Sequence, residues 1–272
     1  MHGLLQAYLE RRGSATVLTR QLARYPLRLL EPLRPDGYSG ALVYVGMVAG
    51  GVQAGDSLDL EFDLGCGAQA LVTTQSATKI LTMPSGEATQ RNSFNLEAQA
   101  ILEYLPDEII PFAKSNFTQE TRVHMAPTAV LILVELLTPG RMARKEYFEF
   151  RSFTSRVCVH RGGRVVMWES ATLKPSIMHL SGTALLGGRH YYGTLAVLAP
   201  LADAALADQL HTALAERNEI LGSASAGAEI VVARVLGTSL ETTKAAMRRI
   251  WQLARRYVIG QSLSHVPGKI IF

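Results

Sequence analysis

The feature that most constrains this chain is a succession of short strand-like runs between about Ser14 and Gly193. Gly, Pro, Asp or Asn separate these runs, and no segment of ordinary helix length interrupts them. Because parallel strands in a doubly wound sheet need crossover helices between them, this pattern excludes that fold and leaves a sandwich, a barrel or a β-solenoid. No fixed period recurs in the sequence, so periodicity alone does not select the solenoid.

The clearest strand signal is the segment Ser57–Leu64, which reads SLDLEFDL. Leucine or phenylalanine alternates with an acidic residue, which gives one apolar and one acidic face and predicts a half-buried strand. Further strands are predicted at Ala41–Val48, Ala68–Thr74, Gln90–Leu96, Ala100–Leu105, Thr118–Met125, Val130–Leu137, Tyr147–Val159, Arg164–Glu169 and Glu229–Leu236.

Two helices are predicted late in the chain, at Pro200–Glu216 and Thr238–Gly260, where apolar residues recur at helical spacing. We therefore predict a mainly β fold, elongated and solenoid-like or layered, with two helices in the C-terminal region. The expected division is a strand-rich region over residues 1–195 and a helix-containing region over residues 196–272 that packs on it.

The second helix has its own start and stop signals. Thr238 and Glu241 have the spacing of a capping box, and Gly260 is a suitable left-handed cap at the other end. On a helical wheel its apolar residues share one face, and the opposite face is basic, with Lys244, Arg248, Arg249, Arg255 and Arg256. The basic face is either solvated or contacts an acidic surface.

The sequence offers no constellation that indicates catalysis. No histidine pair has metal-ligand spacing, no serine lies in a GxSxG context, and Cys66 and Cys158 stand far apart. We expect no catalytic residues, no tightly bound cofactor and no enzymatic activity. The net charge of +4 is too small to indicate nucleic-acid binding by itself, and neither a secretory signal nor a membrane-spanning run is apparent. A cytoplasmic protein with no nucleic-acid or membrane partner is expected.

A glycine-rich segment, Gly46–Asp56, follows a predicted strand and resembles a phosphate-binding loop only superficially. It lacks the Gly-Lys-Ser/Thr ending of a P-loop, and it leads into the strand Ser57–Leu64 instead of a helix. We expect the glycines to permit tight turns.

Several motifs in order resemble the family of urease accessory proteins called UreD or UreH. Gly50–Asp56 resembles its GGxxxGD turn, and Leu71–Lys79 resembles the strand that follows. Leu102–Phe112 (LEYLPDEIIPF) matches closely, and Glu135 followed by Gly140–Arg144 resembles its WE and GRxARGE elements. Weaker similarities follow at Tyr192–Leu195, Arg234–Gly237 and Pro267–Phe272.

The resemblance implies a mostly β fold with solenoid-like layers and a non-enzymatic chaperone. Such a protein binds apo-urease together with UreF and the GTPase UreG, and it helps to insert nickel into the urease active site. An internal path for transient nickel would need polar groups in the interior. The acidic candidates that lie in the matching motifs are Asp56, Glu103, Asp107, Glu135 and Glu146.

A structural role is the alternative for these carboxylates. They would then accept hydrogen bonds from turn amides or pair with Lys79, Arg141 or Arg144, because buried charges are generally paired. Nickel prefers imidazole or thiolate ligands, so a path lined with oxygen donors would hold it weakly.

Two other functions remain open from the sequence. A β-solenoid carbohydrate-active enzyme would place two carboxylates on a deep groove. A nucleic-acid-binding module would use the basic face of the helix at Thr238–Gly260.

Overall fold

The computed structural model describes residues 1–35, 38–215, 219–261 and 263. The first strands in chain order are β1 (His2–Arg12), β2 (Ala15–Arg24), β3 (Leu27–Leu29), β4 (Ala41–Met47), β5 (Ser57–Leu64), β6 (Gln69–Thr74), β7 (Thr78–Ile80), β8 (Ala88–Leu96) and β9 (Ile101–Tyr104). The later strands are β10 (Ile109–Pro111), β11 (Asn116–Met125), β12 (Val130–Leu137), β13 (Ser152–Arg161), β14 (Arg164–Leu173), β15 (Tyr191–Leu198), β16 (Ile220–Gly227) and β17 (Ile230–Gly237). The helices are α1 (Ala204–Ala215) and α2 (Leu240–Ile259), with a short 3-10 turn at Met142–Arg144.

The strands form two sheets. The seven-stranded sheet has the order β14-β13-β11-β8-β5-β1-β2. The ten-stranded sheet has the order β16-β17-β15-β12-β9-β6-β4-β3, with β7 and β10 beside this path. In the middle of both sheets the neighbouring strands are parallel, whereas the hairpins at the edges are antiparallel.

Successive strands from β4 to β13 belong mostly to alternate sheets, so the chain winds as a solenoid between them. Cross-strand contacts show that the coils differ in length: Asp63 and Asn95 are separated by 32 residues, Asn92 and Thr121 by 29, and Glu120 and Arg156 by 36. This variation explains why no fixed sequence repeat is visible. The prediction of a mainly β, solenoid-like layered fold with two helices in the C-terminal region is confirmed.

Two apolar layers hold the fold together. One lies between the sheets and includes Leu60, Phe94 and Leu133. The other lies between the ten-stranded sheet and the helices, with Leu210 from α1 and Trp251 from α2. The molecule therefore has three layers, and a side chain on a strand of the ten-stranded sheet faces either the other sheet or the helices.

Most strand predictions are confirmed, and Ser57–Leu64 coincides with β5, whose alternate residues are buried. The predicted strand Tyr147–Val159 is wrong at its start, because β13 begins only at Ser152. Phe148, near the start of the predicted strand, has a positive φ of 54°, which is incompatible with a strand. The sequence interpretation also missed the N-terminal strands β1 and β2.

Both helices lie where the sequence predicted them, with different starting residues. Helix α1 begins after Pro200, at Ala204, and Asp203 Oδ1 accepts a hydrogen bond of 3.0 Å from the Leu206 amide. The predicted end at Glu216 lies outside the described residues. Helix α2 is capped by Ser239 rather than Thr238, because the Ser239 side chain accepts from the Thr242 amide.

The end of α2 is as predicted: Gly260 has a φ of 75° and caps the helix in the left-handed conformation. The predicted boundary between residues 195 and 196 falls within β15, which pairs with β12 and β17 in the ten-stranded sheet. The division into two regions stays a prediction. Neither helix of the described residues has the length and apolar composition of a bilayer-spanning segment.

Candidate functional site

The space between the two sheets contains a polar stretch within an otherwise apolar core. In β8 the inward positions Gln90 and Asn92 are 7% and 1% exposed, and in β11 the inward positions Gln119 and Thr121 are 5% and 1% exposed. The strands pair so that Gln90 lies beside Gln119 and Asn92 beside Thr121. These two pairs of polar side chains therefore lie next to each other in the interior of the solenoid.

Hydrogen bonds connect members of this stretch. Gln90 Nε2 donates to Asn92 Oδ1 at 3.0 Å, and Asn92 Nδ2 donates to Thr121 Oγ1 at 3.1 Å. Gln119 Nε2 donates to Glu135 Oε1 at 2.5 Å, which carries the polar stretch from the seven-stranded sheet to β12 of the ten-stranded sheet. We call Gln90, Asn92, Gln119, Thr121, Glu135 and Ser155 the interior polar row.

Glu135 is the charged residue of this row. The inward positions of β12 are Leu131, Leu133, Glu135 and Leu137, so the carboxylate interrupts an apolar series. Ser155 Oγ donates to its two oxygens at 3.0 and 3.1 Å. Burial raises the pKa of the Glu135 carboxyl, and the hydrogen bonds from Ser155 and Gln119 oppose that rise. Its side chain keeps some accessible surface because it borders a cavity.

That cavity has a volume of about 140 Å³ and is lined mainly by apolar side chains. Its polar lining comes from Glu135, Ser155, Glu169, His190 and residues of β15. Glu169 Oε1 lies 3.0 Å from Nη2 of Arg234, a residue that is half exposed. The cavity therefore connects the buried Glu135 with a charged group nearer to the surface.

A second cavity, of about 120 Å³, lies at the other end of the row. Gln90 is part of its lining, together with Gly50 and Gly51 of the glycine-rich loop and Thr78 and Lys79 of β7. The interior polar row thus extends from the cavity at the glycine-rich loop to the cavity at Glu135. At each end of the row, residues from sequence motifs that are far apart along the chain line the same cavity.

The five acidic candidates from the sequence do not converge on one place. Glu135 lies in the interior polar row, whereas Glu103 faces the opposite side of the ten-stranded sheet. There the Glu103 carboxylate accepts hydrogen bonds from Arg255 Nε at 3.0 Å and from Trp251 Nε1 at 2.8 Å. Its two oxygens are therefore committed to α2.

Two other candidates have structural partners. Asp56 accepts hydrogen bonds from the Gln53 amide at 2.8 Å and from the Met1 amino group at 2.7 Å. Glu146 accepts from Arg141 Nε at 2.7 Å, and this contact lowers the pKa of the Glu146 carboxyl.

The remaining candidate, Asp107, follows β9. Its backbone amide donates to Thr74 Oγ1 at 2.9 Å. The Asp107 carboxyl helps to raise the pKa of the Tyr44 hydroxyl, after the larger effect of burial.

The prediction of a continuous basic face on α2 is wrong at one residue. Arg255 is 1% exposed and pairs with Glu103. Lys244 Nζ lies 2.6 Å from Glu108 Oε2. Arg256 is exposed on this helix.

The cavity at Glu135 contains two carboxylates, as a glycosidase would require. Both carboxylates already have partners: Glu135 accepts hydrogen bonds from Gln119 and Ser155, and Glu169 pairs with Arg234.

Within the described ranges, no three His, Cys, Asp or Glu side chains come together to hold a metal ion.

Sequence reasoning found Glu135 through its motif but missed its polar neighbours. Gln90, Asn92, Gln119 and Thr121 are uncharged, and they lie in runs that were recognised only as strands. A signal was present, because in ATQRNSFNL alternate positions hold Ala, Gln, Asn, Phe and Leu. Polar residues between inward apolar residues on neighbouring strands indicate a polar interior.

Comparison with known proteins identifies the family of this chain. The family model described as UreD urease accessory protein matches residues 1–267. A urease accessory protein UreD 2 from Brucella suis is 34% identical over 273 residues, covering 96% of this chain and 89% of that protein. The UreD of Haloarcula marismortui is 35% identical over 258 residues, covering 93% and 86%, and that of Cenarchaeum symbiosum is 38% identical over 200 residues, covering 72% and 70%. The motif Pro267–Phe272 lies outside the described residues, but the match extends over nearly the whole sequence, and the chain belongs to the UreD family of urease accessory proteins.

Proposed function

We propose that this protein is a chaperone of urease maturation that helps to insert nickel into apo-urease and catalyses no reaction itself. Family membership supports the role in urease maturation, because the relatives are named urease accessory proteins. The proposed partners are apo-urease, UreF and UreG in one cytoplasmic complex. Nickel is the cargo of this complex rather than a resident cofactor.

The interior polar row is the proposed route of the nickel ion. The observation that carries this proposal is the position of Glu135, a carboxylate placed between two sheets where its neighbours in β12 are leucines. Among the described residues Glu135 has no cationic partner, and because burial of an unpaired charge is costly, a carboxylate at such a place indicates a function. Here its partners are the neutral side chains of Gln119 and Ser155.

The chemistry of the row suits a passing ion. Amide, hydroxyl and carboxylate oxygens bind nickel more weakly than imidazole or thiolate, so the ion would exchange readily from one group to the next. Because burial raises the pKa of Glu135, protons compete with a cation for this carboxylate more strongly than they would at an exposed glutamate. Weak binding at several oxygens is the property that a transfer path needs.

Among the five acidic candidates, we assign this role to Glu135 only. Glu103, Asp56 and Glu146 already accept hydrogen bonds from other groups of the protein, at least one of them cationic in each case. A carboxylate neutralised by a fixed cation has less attraction for a second one.

The general role is tested by deletion of the gene. The deletion strain should still make urease, and that urease should be inactive and free of nickel. Normal nickel content in the purified urease of this strain would overturn the proposal.

The route is tested by Glu135→Leu in a reconstituted activation of apo-urease with UreF, UreG, GTP, bicarbonate and nickel. The matched control is Glu120→Gln on the outer face of β11, where Glu120 pairs with Arg122 and Arg156. Glu135→Leu should slow nickel incorporation by about tenfold or more, and Glu120→Gln should leave it unchanged. If Glu135→Leu still co-purifies with UreF and loads nickel at the normal rate, the interior polar row is not the route.

A further inference from the structure

The excess positive charge of this protein comes from its first 35 residues. This segment contains six arginines, two glutamates and neither lysine nor aspartate, a net charge of +4. The whole chain also has a net charge of +4, so the remaining sequence is neutral on balance. All six arginines are exposed: Arg11, Arg12, Arg20, Arg24, Arg28 and Arg34. They surround the end of the molecule formed by β1, β2 and β3.

Strand β2 is the edge of the seven-stranded sheet at this end. It pairs with β1 on one side, and no strand of the described residues pairs with its other side over residues 17–24. The Thr16 amide, at its start, donates to the Ser39 carbonyl. An unpaired edge presents a row of backbone donors and acceptors to any extended chain that approaches it.

A groove runs along this edge, between residues 16–21 of β2 and residues 31–34. Its volume is about 590 Å³. Arg20 and Arg34 line it from opposite sides, and Glu31 is its acidic member. Among the described residues, no carboxylate forms an ion pair with Arg20 or Arg34, although the Arg20 guanidinium lies 4.0 Å from the centre of the Tyr8 ring.

Apolar side chains are also exposed at this edge. Leu22 is 42% exposed, Tyr25 61% and Leu33 43%. Large apolar groups interspersed with arginines are typical of protein-binding surfaces, where Tyr and Arg contribute most.

We propose that the open edge of β2 and its groove bind an extended, acidic segment of a partner protein as an additional strand. Backbone hydrogen bonds to β2 would provide the affinity, and glutamate or aspartate side chains on the segment would pair with Arg20, Arg24 and Arg34. Apolar residues of the segment would cover Leu22 and Leu33.

A polypeptide fits this surface better than a nucleic acid or a membrane does. The unpaired backbone of β2 matches the spacing of another strand, and neither phosphate chains nor lipid headgroups can continue its ladder. Nucleic-acid and membrane binding are therefore outcomes of the test that would overturn the proposal.

The test uses the full chain and a short fluorescent peptide in which glutamate and leucine alternate. The variant Arg20→Gln/Arg24→Gln/Arg34→Gln should bind this peptide at least about tenfold more weakly than the wild type, because three charge pairs are lost. The matched control, Arg122→Gln/Arg156→Gln/Arg164→Gln, removes three exposed arginines from the other end of the same sheet. It should bind the peptide with wild-type affinity.

Two further probes test the mode of binding. A peptide of the same sequence with N-methyl groups at alternate residues should bind at least about tenfold more weakly, because it cannot form the ladder on one edge. A single-stranded RNA oligonucleotide and vesicles of phosphatidylserine and phosphatidylcholine should bind no more tightly than they do to the triple variant. Preference for RNA or vesicles, or equal binding of the methylated peptide, would overturn the proposal.

Arginines on an edge strand can also serve only to prevent edge-to-edge association. In that case the wild type would not bind the acidic peptide, and the variant Arg20→Gln/Arg24→Gln/Arg34→Gln would self-associate in sedimentation experiments. That combination would overturn the proposal as well. Peptide binding does not require nickel or urease, so this inference and the nickel route can fail independently.

Discussion

Arg255 Nε lies 3.0 Å from Glu103 Oε1, and the two side chains are 1% and 0% exposed. This pair joins α2 to β9 of the ten-stranded sheet, and Trp251 Nε1 donates to the second Glu103 oxygen at 2.8 Å. The Arg255 guanidinium also lies 5.5 Å from the centre of the Tyr38 ring. Each buried charge needs the other to offset the loss of water, so the pair fixes the position of the helix layer.

Arg255→Met should destabilise the protein by roughly 3–5 kcal/mol, because it leaves a buried carboxylate without its cation. Urea unfolding near neutral pH measures this loss. Arg256→Met, at the exposed neighbouring position, should change the unfolding free energy by about 0.5 kcal/mol or less. Since burial already raises the pKa of Glu103, protonation at lower pH should reduce the loss in Arg255→Met. Equal stability of the two variants would show that the pair contributes nothing.

The same pair shows what the sequence could predict and what it could not. Alternation in Ser57–Leu64 predicted β5 with its correct bounds, because the pattern is local. Arg255 was grouped with the outer basic residues of the helix because a helical wheel contains no information about a carboxylate 152 residues away. Strand β1 was missed because Leu, Gln, Ala, Glu and Arg favour helices in isolation. In the folded protein, parallel pairing with β5 stabilises this segment as a strand.

The candidate site, like the fold, could be predicted from the sequence only in part. Motif similarity selected Glu135 and four other carboxylates but could not say which layer each one faces. That depends on the winding of the solenoid, whose coils differ in length. Once the register is known, Gln119 and Asn92 appear as inward residues, and Glu135 is separated from Glu103 on the opposite face of the same sheet.

The glycine-rich loop provides a prediction with an adjacent control. At Gly51 φ is 154°, and an added Cβ would lie 2.7 Å from the Lys79 carbonyl oxygen, which is held by the Val52 amide at 2.8 Å. Gly51→Ala should therefore destabilise the protein by roughly 1–3 kcal/mol. At Gly50 an added Cβ meets nothing within 4 Å, so Gly50→Ala should be tolerated. Thermal unfolding of both variants checks this, and equal melting temperatures would refute the steric explanation.

The Arg141–Glu146 pair should contribute stability that depends on pH. The hydrogen bond from Arg141 holds the pKa of the Glu146 carboxyl below its ordinary value of 4.5. A lowered carboxyl pKa stabilises the folded state above the unfolded value, and this stabilisation disappears as the pH falls through the folded value. Glu146→Gln should thus have a lower urea midpoint than the wild type at neutral pH, and the difference should vanish in acid. Glu149→Gln, at an exposed position nearby, serves as the control and should show no such trend.

Glu135 should have the opposite pH dependence. Burial raises the pKa of its carboxyl above the ordinary value of 4.5, so the folded state binds this proton more tightly than the unfolded state does. The contribution of this carboxyl to the free energy of unfolding must then fall as the pH rises from about 4.5 through the raised pKa. A glutamine at this position has no charge to bury.

Glu135→Gln should therefore be more stable than the wild type at neutral pH, by roughly 1–3 kcal/mol, the usual cost of a buried polar group with incomplete compensation. The advantage should shrink as the pH falls toward about 4. Urea unfolding over a series of pH values measures it, with Glu149→Gln, at an exposed position, as the reference. If the wild type is the more stable protein at neutral pH, the hydrogen bonds from Gln119 and Ser155 outweigh the burial of the charge. Glu135 would then be a structural residue. Higher stability together with slower nickel incorporation would instead identify a carboxylate retained for transfer at the expense of stability.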